Sequence, residues 1–185
     1  MNFKQKVRWS NAVKIITWIA LPLLVYAEYT LVSSILRRFD FVLLLITLLV
    51  PVILFYFLFQ MATFIEVYEN QLIIHRLRGS LIIPINQIKG VNALVASFFH
   101  VSGRGGLLAY IGQFWNNQMG HYRLFGSGGL FGYIGRFRNK QIGDYQSYIG
   151  NYSQSFWIEL ENGKKYALSC EQSEELIDFL KQQIA

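Results

Sequence analysis

The sequence predicts a membrane helical hairpin followed by one mainly β domain that ends in an amphipathic helix. Three observations carry this. Two long runs near the N-terminus are almost free of ionisable side chains, the residues behind them alternate with period two between turns, and the last dozen residues bear an apolar stripe at helical spacing.

From Ile15 to Leu36 the only ionisable side chain is Glu28, and from Phe41 to Ile65 there is none. Each run approaches the roughly 20 residues that a helix needs to cross a bilayer. Arg37-Arg38-Phe39-Asp40 joins them, and so short a connector makes the two spans antiparallel, with both ends on one side. Lys4, Lys6, Arg8 and Lys14 precede the first span and Arg76 and Arg78 follow the second, against Arg37 and Arg38 in the connector. This excess assigns the termini to the cytoplasm and predicts a multi-pass protein of the cell inner (plasma) membrane with its domain inside. Trp9, Trp18 and Tyr56 stand where interfacial aromatics belong. The stretch up to Val25-Tyr26-Ala27, ahead of Glu28, also has the layout of a cleavable leader. The retained segment makes the hairpin the expectation. The chain then divides into a basic N-terminal segment (1–12), a transmembrane hairpin (13–61) and a domain (62–185).

Behind the hairpin, Ala62–Tyr68, Gln71–Leu77 and Leu81–Ile85 read as strands separated by Glu69-Asn70-Gln71 and Arg78-Gly79-Ser80, and Pro84 marks an edge or strand end. Gln87–Ala96 fits a strand or a short helix. Between Gly103 and Gly150 lie twelve of the fifteen glycines, interleaved with aromatics that need burial. That mixture predicts ordered, sharply bent strands in which glycine supplies positive φ and close backbone approach. Ser155–Leu160 alternates, Asn162-Gly163 is a hairpin turn and Lys165–Leu168 returns. Ser169 and Gln172 form a capping-box pattern that opens a helix reaching about Gln183, with Leu176, Ile177, Leu180 and Ile184 on one face. Trp157, Ile158, Leu160, Leu176 and Leu180 are expected to share one core beneath that helix. Cys170 is the only cysteine, so no disulfide or thiol pair is available, and a buried thiol in a reducing compartment is expected.

Phe64–Tyr68 with Leu72-Ile73-Ile74 and Ile83–Ile88, then Gly129–Gly135 with Gly143, Tyr145 and Tyr148, then Phe156–Leu160 with Gly163–Tyr166, Ser169 and the helix through Leu180, resemble bacterial pleckstrin-homology-domain proteins. Many of these place two membrane helices ahead of the domain. The resemblance spans roughly Ala62 to Gln183 and departs at Cys170-Glu171, where Pro and an acid are expected after the serine. It implies a seven-stranded PH-like barrel plugged by the last helix, acting as a binding or scaffolding module with neither catalysis nor a cofactor.

Between Glu69 and Asp144 there is no acid, while Arg76, Arg78, Lys89, Arg104, Arg123, Arg136, Arg138 and Lys140 all fall inside. Near a cytoplasmic leaflet each basic residue at the surface gains about 1 kcal/mol from anionic headgroups. Arg136, Arg138 and Lys140, with Arg123, form the candidate surface for membrane lipid or a protein partner. The plainer account is that these charges solvate loops and follow the positive-inside bias. Gly126-Ser127-Gly128-Gly129 lacks the Gly-Lys-Ser/Thr and strand-to-helix setting of a phosphate loop. His75, His100 and His121 have no carboxylate or thiol at ligand spacing, so no metal is expected. Ser102, Ser127 and Ser169 have no nucleophile-elbow context, and a sequence pI near 9.5 follows from topology without nucleic acid. Asn151-Tyr152-Ser153 is a glycosylation triplet that would be silent in the cytoplasm.

Glu28 is the intramembrane polar candidate. Nine residues from Arg37, about 13 Å by helical rise, it is expected near the interface rather than the centre. The leading expectation is a binding module with lipid, a protein partner or a second copy as its target. The alternative is an accessory subunit of a larger membrane transport or secretion complex, with Glu28 contacting a partner.

Overall fold

A computed structural model of the chain describes residues 3–94, 121–139 and 142–184. Its two N-terminal helices are α1, Asn11–Arg37, and α2, Phe41–Gln60, both long and apolar enough to cross a membrane. Asp40 begins α2 by accepting the Val42 and Leu43 amides at 2.8 and 3.2 Å, so the connector's acid is a helix cap. No side chain of α2 is buried and more than half of its apolar ones are exposed, while α1 buries Val13 and Thr17.

The first strand, β1 at Phe3–Lys6, lies in the segment that reads as a basic lead-in. It pairs antiparallel with β2, Ala62–Tyr68, placing Phe3 opposite Val67 and Lys6 opposite Phe64. The Val7 amide donates to Thr63 O at 3.0 Å, Ser10 to Gly150 O at 2.9 Å, and Lys6 O accepts from Glu171 at 3.1 Å. Ser10 caps α1, and Met61 alone separates α2 from β2. The strand pair therefore runs straight into the helix pair.

β3, Gln71–Arg76, and β4, Ser80–Pro84, complete an open sheet in the order β1-β2-β3-β4. Its β2–β3 turn holds Glu69 and Asn70 at φ 45° and 62°, the double left-handed geometry of a tight hairpin. The second sheet contains β5, Ile88–Ala93; β6, His121–Gly129; β7, Gly132–Asn139; β8, Gly143–Ile149; β9, Ser155–Leu160; and β10, Lys165–Ser169. Its order is β5-β9-β10-β8-β7-β6, and β10 runs parallel to β8. The last helix, α3, spans Ser173–Ile184.

These sheets correct the expected seven-stranded closed barrel: among the described residues both remain open. Pro84 has no N–H with which to extend the ladder, and a 3-10 turn at Ile85–Gln87 passes the chain from one sheet to the other. The main core draws on both sheets and α3, uniting Ile65, Leu72, Ile74, Phe156, Ile158, Leu168, Leu176 and Leu180. A second cluster, with Phe137, Tyr145, Ile149 and Ala167, occupies the other face of the larger sheet, and Trp157 packs there instead of beneath α3. Strict alternation forces this, because Phe156, Ile158 and Leu160 already point inward. The helix start also differs from expectation. Ser169 belongs to β10, and its hydroxyl accepts the Gly150 and Asn151 amides, so it is not available to cap α3. Cys170 is buried, and desolvation pushes its thiol up to about 12.

Candidate functional site

The candidate surface is built on β6, β7 and β8. Along β7, Phe137 is fully buried while its neighbours Arg136 and Arg138 are exposed, so both arginines emerge on one face. Asp144 stands opposite Arg138 in the β7–β8 register. Its Oδ2 accepts from Arg136 Nη2 at 3.2 Å and from Arg138 Nη2 at 3.1 Å, and Arg138 Nε donates to Oδ1. Two guanidinium groups share one carboxylate, leaving a net charge of about one on that patch. The hydrogen bond from Arg138 holds the Asp144 carboxyl below its ordinary range, and the same bond raises Arg138. Acidification into that range would protonate Asp144 and free both arginines. Of the remaining candidates, Arg123 is described through its backbone alone, opposite Phe137, and Lys140 lies outside the described residues.

Phe125 sets the direction of this face. It is opposite Arg136 in the β6–β7 register and 63% exposed, and its ring centroid lies 6.4 Å from Tyr56 and 6.1 Å from Phe57 of α2. At the hairpin's other end, the Phe131 amide donates to Thr17 Oγ1 of α1 at 3.2 Å. The β6–β7 hairpin thus crosses the base of both helices, and its arginines sit on the side that meets α2.

In the sequence Arg76 and Arg78 speak to topology and stand outside the candidate surface. In the structure the turn after β3 folds against the last turn of α2. Arg76 Nη1 donates to Gln60 Oε1 at 2.6 Å, the Leu77 amide to Met61 O at 3.0 Å, and the Arg78 amide to Phe59 O at 3.3 Å. Arg78 also places its guanidinium 5.7 Å from the Phe59 ring. α2 carries no basic residue in its own last turn, so the Arg78 amide satisfies the Phe59 carbonyl, the Leu77 amide that of the C-cap Met61, and the two arginines oppose the helix's negative pole. Their nearness to the end of the span was the available signal.

Glu28 is half-buried on α1, and its Oε1 is shielded from solvent without a hydrogen-bond partner among the described residues. His75 joins Glu66 at 3.0 Å and Ser80 at 3.1 Å across β2, β3 and the start of β4, and stacks on Phe64, a cross-strand polar ladder on the outer sheet face. His100 lies outside the described residues, and among those described no group of three or more His, Cys, Asp or Glu could hold a metal. Gly126-Ser127-Gly128-Gly129 forms the end of β6 and leads to a hairpin turn, not to a helix N-terminus.

No curated protein and no solved structure matches the chain. The likeness that does stand is to the bacterial PH domain: residues 115–184, the stretch that supplies β6 to β10 and α3, match that family, behind two helices long and apolar enough to cross a membrane.

Proposed function

We infer that the chain is a membrane-anchored binding or scaffolding module, its domain on the cytoplasmic face of the cell membrane, engaging an anionic lipid surface without catalysis. The observation that carries this reading is the shared face of Phe125, Arg136 and Arg138, because Phe125 meets Tyr56 and Phe57 and so turns the arginines toward the hairpin. Within a Debye length of about 8 Å the leaflet potential is not screened away. Each basic residue there gains about 1 kcal/mol, and Asp144 offsets part of it.

The test is native mass spectrometry of the full chain released from mixed zwitterionic and anionic bilayers. Anionic lipid is expected to be retained preferentially, less so at high salt and less so in the Arg136→Gln/Arg138→Gln variant. Asp144→Asn should move retention the opposite way, because it frees both arginines. Equal retention of the two lipid classes would remove this reading and leave a protein partner for that surface.

The cytoplasmic placement rests on the Lys and Arg excess, and the β1–β2 pairing agrees with two antiparallel crossings. Cleavage after Ala27 would take β1 away with most of the first helix. A membrane-impermeant thiol reagent applied from outside the cell should modify a cysteine placed at Phe39 and spare one at Gln183. Modification at Gln183 would overturn the orientation. The second reading, an accessory subunit of a transport or secretion complex, draws on the unpartnered Glu28 Oε1. A stoichiometric partner co-purifying in mild detergent would favour it.

A further inference from the structure

The length of α2 sets the depth of the domain. Twenty residues at 1.5 Å per residue make a helix of about 30 Å, the thickness of the hydrocarbon core. A crossing helix of that length has no residue to spare, so its last turn ends at the hydrocarbon boundary. Groups packed against that turn lie at the same level. Phe125 contacts Tyr56 and Phe57, one turn short of the end, and the turn at 76–79 is hydrogen-bonded to Phe59, Gln60 and Met61. α1 agrees: it is seven residues longer, and its buried Val13 and Thr17 lie below Trp18, which is 77% exposed at the start of the apolar stretch.

We propose that the domain does not stand off the membrane but is seated in the headgroup layer on two apolar wedges, Phe125 and Leu77, one on β6 and one in the β3–β4 turn. Leu77 is 50% exposed although its amide is bonded to Met61, so its side chain is presented at the helix base. Beside it the exposed Arg78 guanidinium suits a lipid phosphate, the acceptor geometry that arginine matches best. The occupant is the phospholipid leaflet, through the phosphodiester that neutral and anionic lipids share and the upper acyl chains beneath it. This seat rests on the reading that the hairpin crosses the membrane. It differs from the Arg136–Arg138 attraction in needing no anionic lipid.

The experiment is depth-dependent quenching in nanodiscs, using the full chain with a single environment-sensitive dye on a cysteine introduced at Leu77, Phe125, Asn70 or Leu49. Cys170 stays unlabelled because it is buried. Asn70 follows β2, whose seven residues extend about 23 Å from the end of α2, and Leu49 is 57% exposed near the middle of α2. Dyes at Leu77 and Phe125 should lose most of their emission to spin labels at the headgroup or upper chain, in neutral and anionic lipid alike. The dye at Leu49 should answer to deep labels and that at Asn70 to none. If Leu49 is quenched while Leu77 or Phe125 behaves like Asn70, the seat is wrong and the hairpin reading survives. If Leu49 is not quenched either, the crossing itself fails and the seat falls with it.

Discussion

Replacing Gly135 by alanine is expected to break the β6–β7 hairpin. Gly135 and Gly126 are opposite one another in register, at φ 127° and 148°, regions that other residues rarely adopt. A Cβ on Gly135 would lie 2.3 Å from Phe125 O and 2.5 Å from Gly126 Cα. Both obstacles are backbone, so no side-chain rotation relieves them. Dihedral strain of about 1–3 kcal/mol and overpacking of a similar size together give a cost of roughly 2–6 kcal/mol. Gly90→Ala is the matched control, because a Cβ there meets nothing within 4 Å among the described residues and φ is not left-handed; it should change stability by about a few tenths of a kcal/mol. Urea unfolding of the solubilised chain, followed by tryptophan fluorescence, reads both. Equal midpoints for the two variants would show that the hairpin does not approach as closely as described.

Leu180→Ala should cost about 2–5 kcal/mol, the range for a fully buried leucine left as a cavity. Leu180 is 0% exposed and reaches the main core with Leu176 and Ile177. Those three side chains form the buried face of α3, with Phe179 and Ile184 packed at its margin, and the rest of the helix is charged or polar. A 12-residue helix is marginal in water by itself, so weakening its docking face frays the helix as well as the core. The same unfolding measurement applies, with amide exchange at β5 and β9 as a local readout because α3 packs on both. A shift within a few tenths would mean that α3 is not docked.

What could be read from the residues alone followed from local patterns. The Asn162-Gly163 turn with Gly163 at φ 77°, the β2–β3 hairpin and the inward face of α3 each announce themselves within a dozen residues, and the helical spans within one long apolar run apiece. The glycine-aromatic stretch also behaved as its composition suggested where it is described, with positive φ at Gly126, Gly129, Gly132, Gly135 and Gly143. Long-range pairings had no such signal. β1 is four residues long with two lysines, and its partner lies some sixty positions away. The parallel β8–β10 contact leaves no periodic trace that an antiparallel one would not. The expected barrel failed for the same reason, since closure depends on which strands meet. Arg136 and Arg138 do share a face, as their spacing requires, but in the sequence Asp144 marks only the end of an acid-free stretch. It is their common counter-ion.

Because β1 is followed by α1 and β2 comes after α2, the order of synthesis has a consequence for assembly. β1 leaves the ribosome first, but its ladder partner is not made until both helices have been translated. The two strands can meet only if both helices cross, or if neither does. A chain with one helix inserted would hold β1 and β2 on opposite sides of the bilayer. It would expose the edge of β2 that β1 covers, an unpaired row of backbone groups of the kind that invites aggregation. Closure of the first sheet is therefore incompatible with a half-inserted hairpin, and the pairing of β1 with β2 ties the fate of one helix to that of the other.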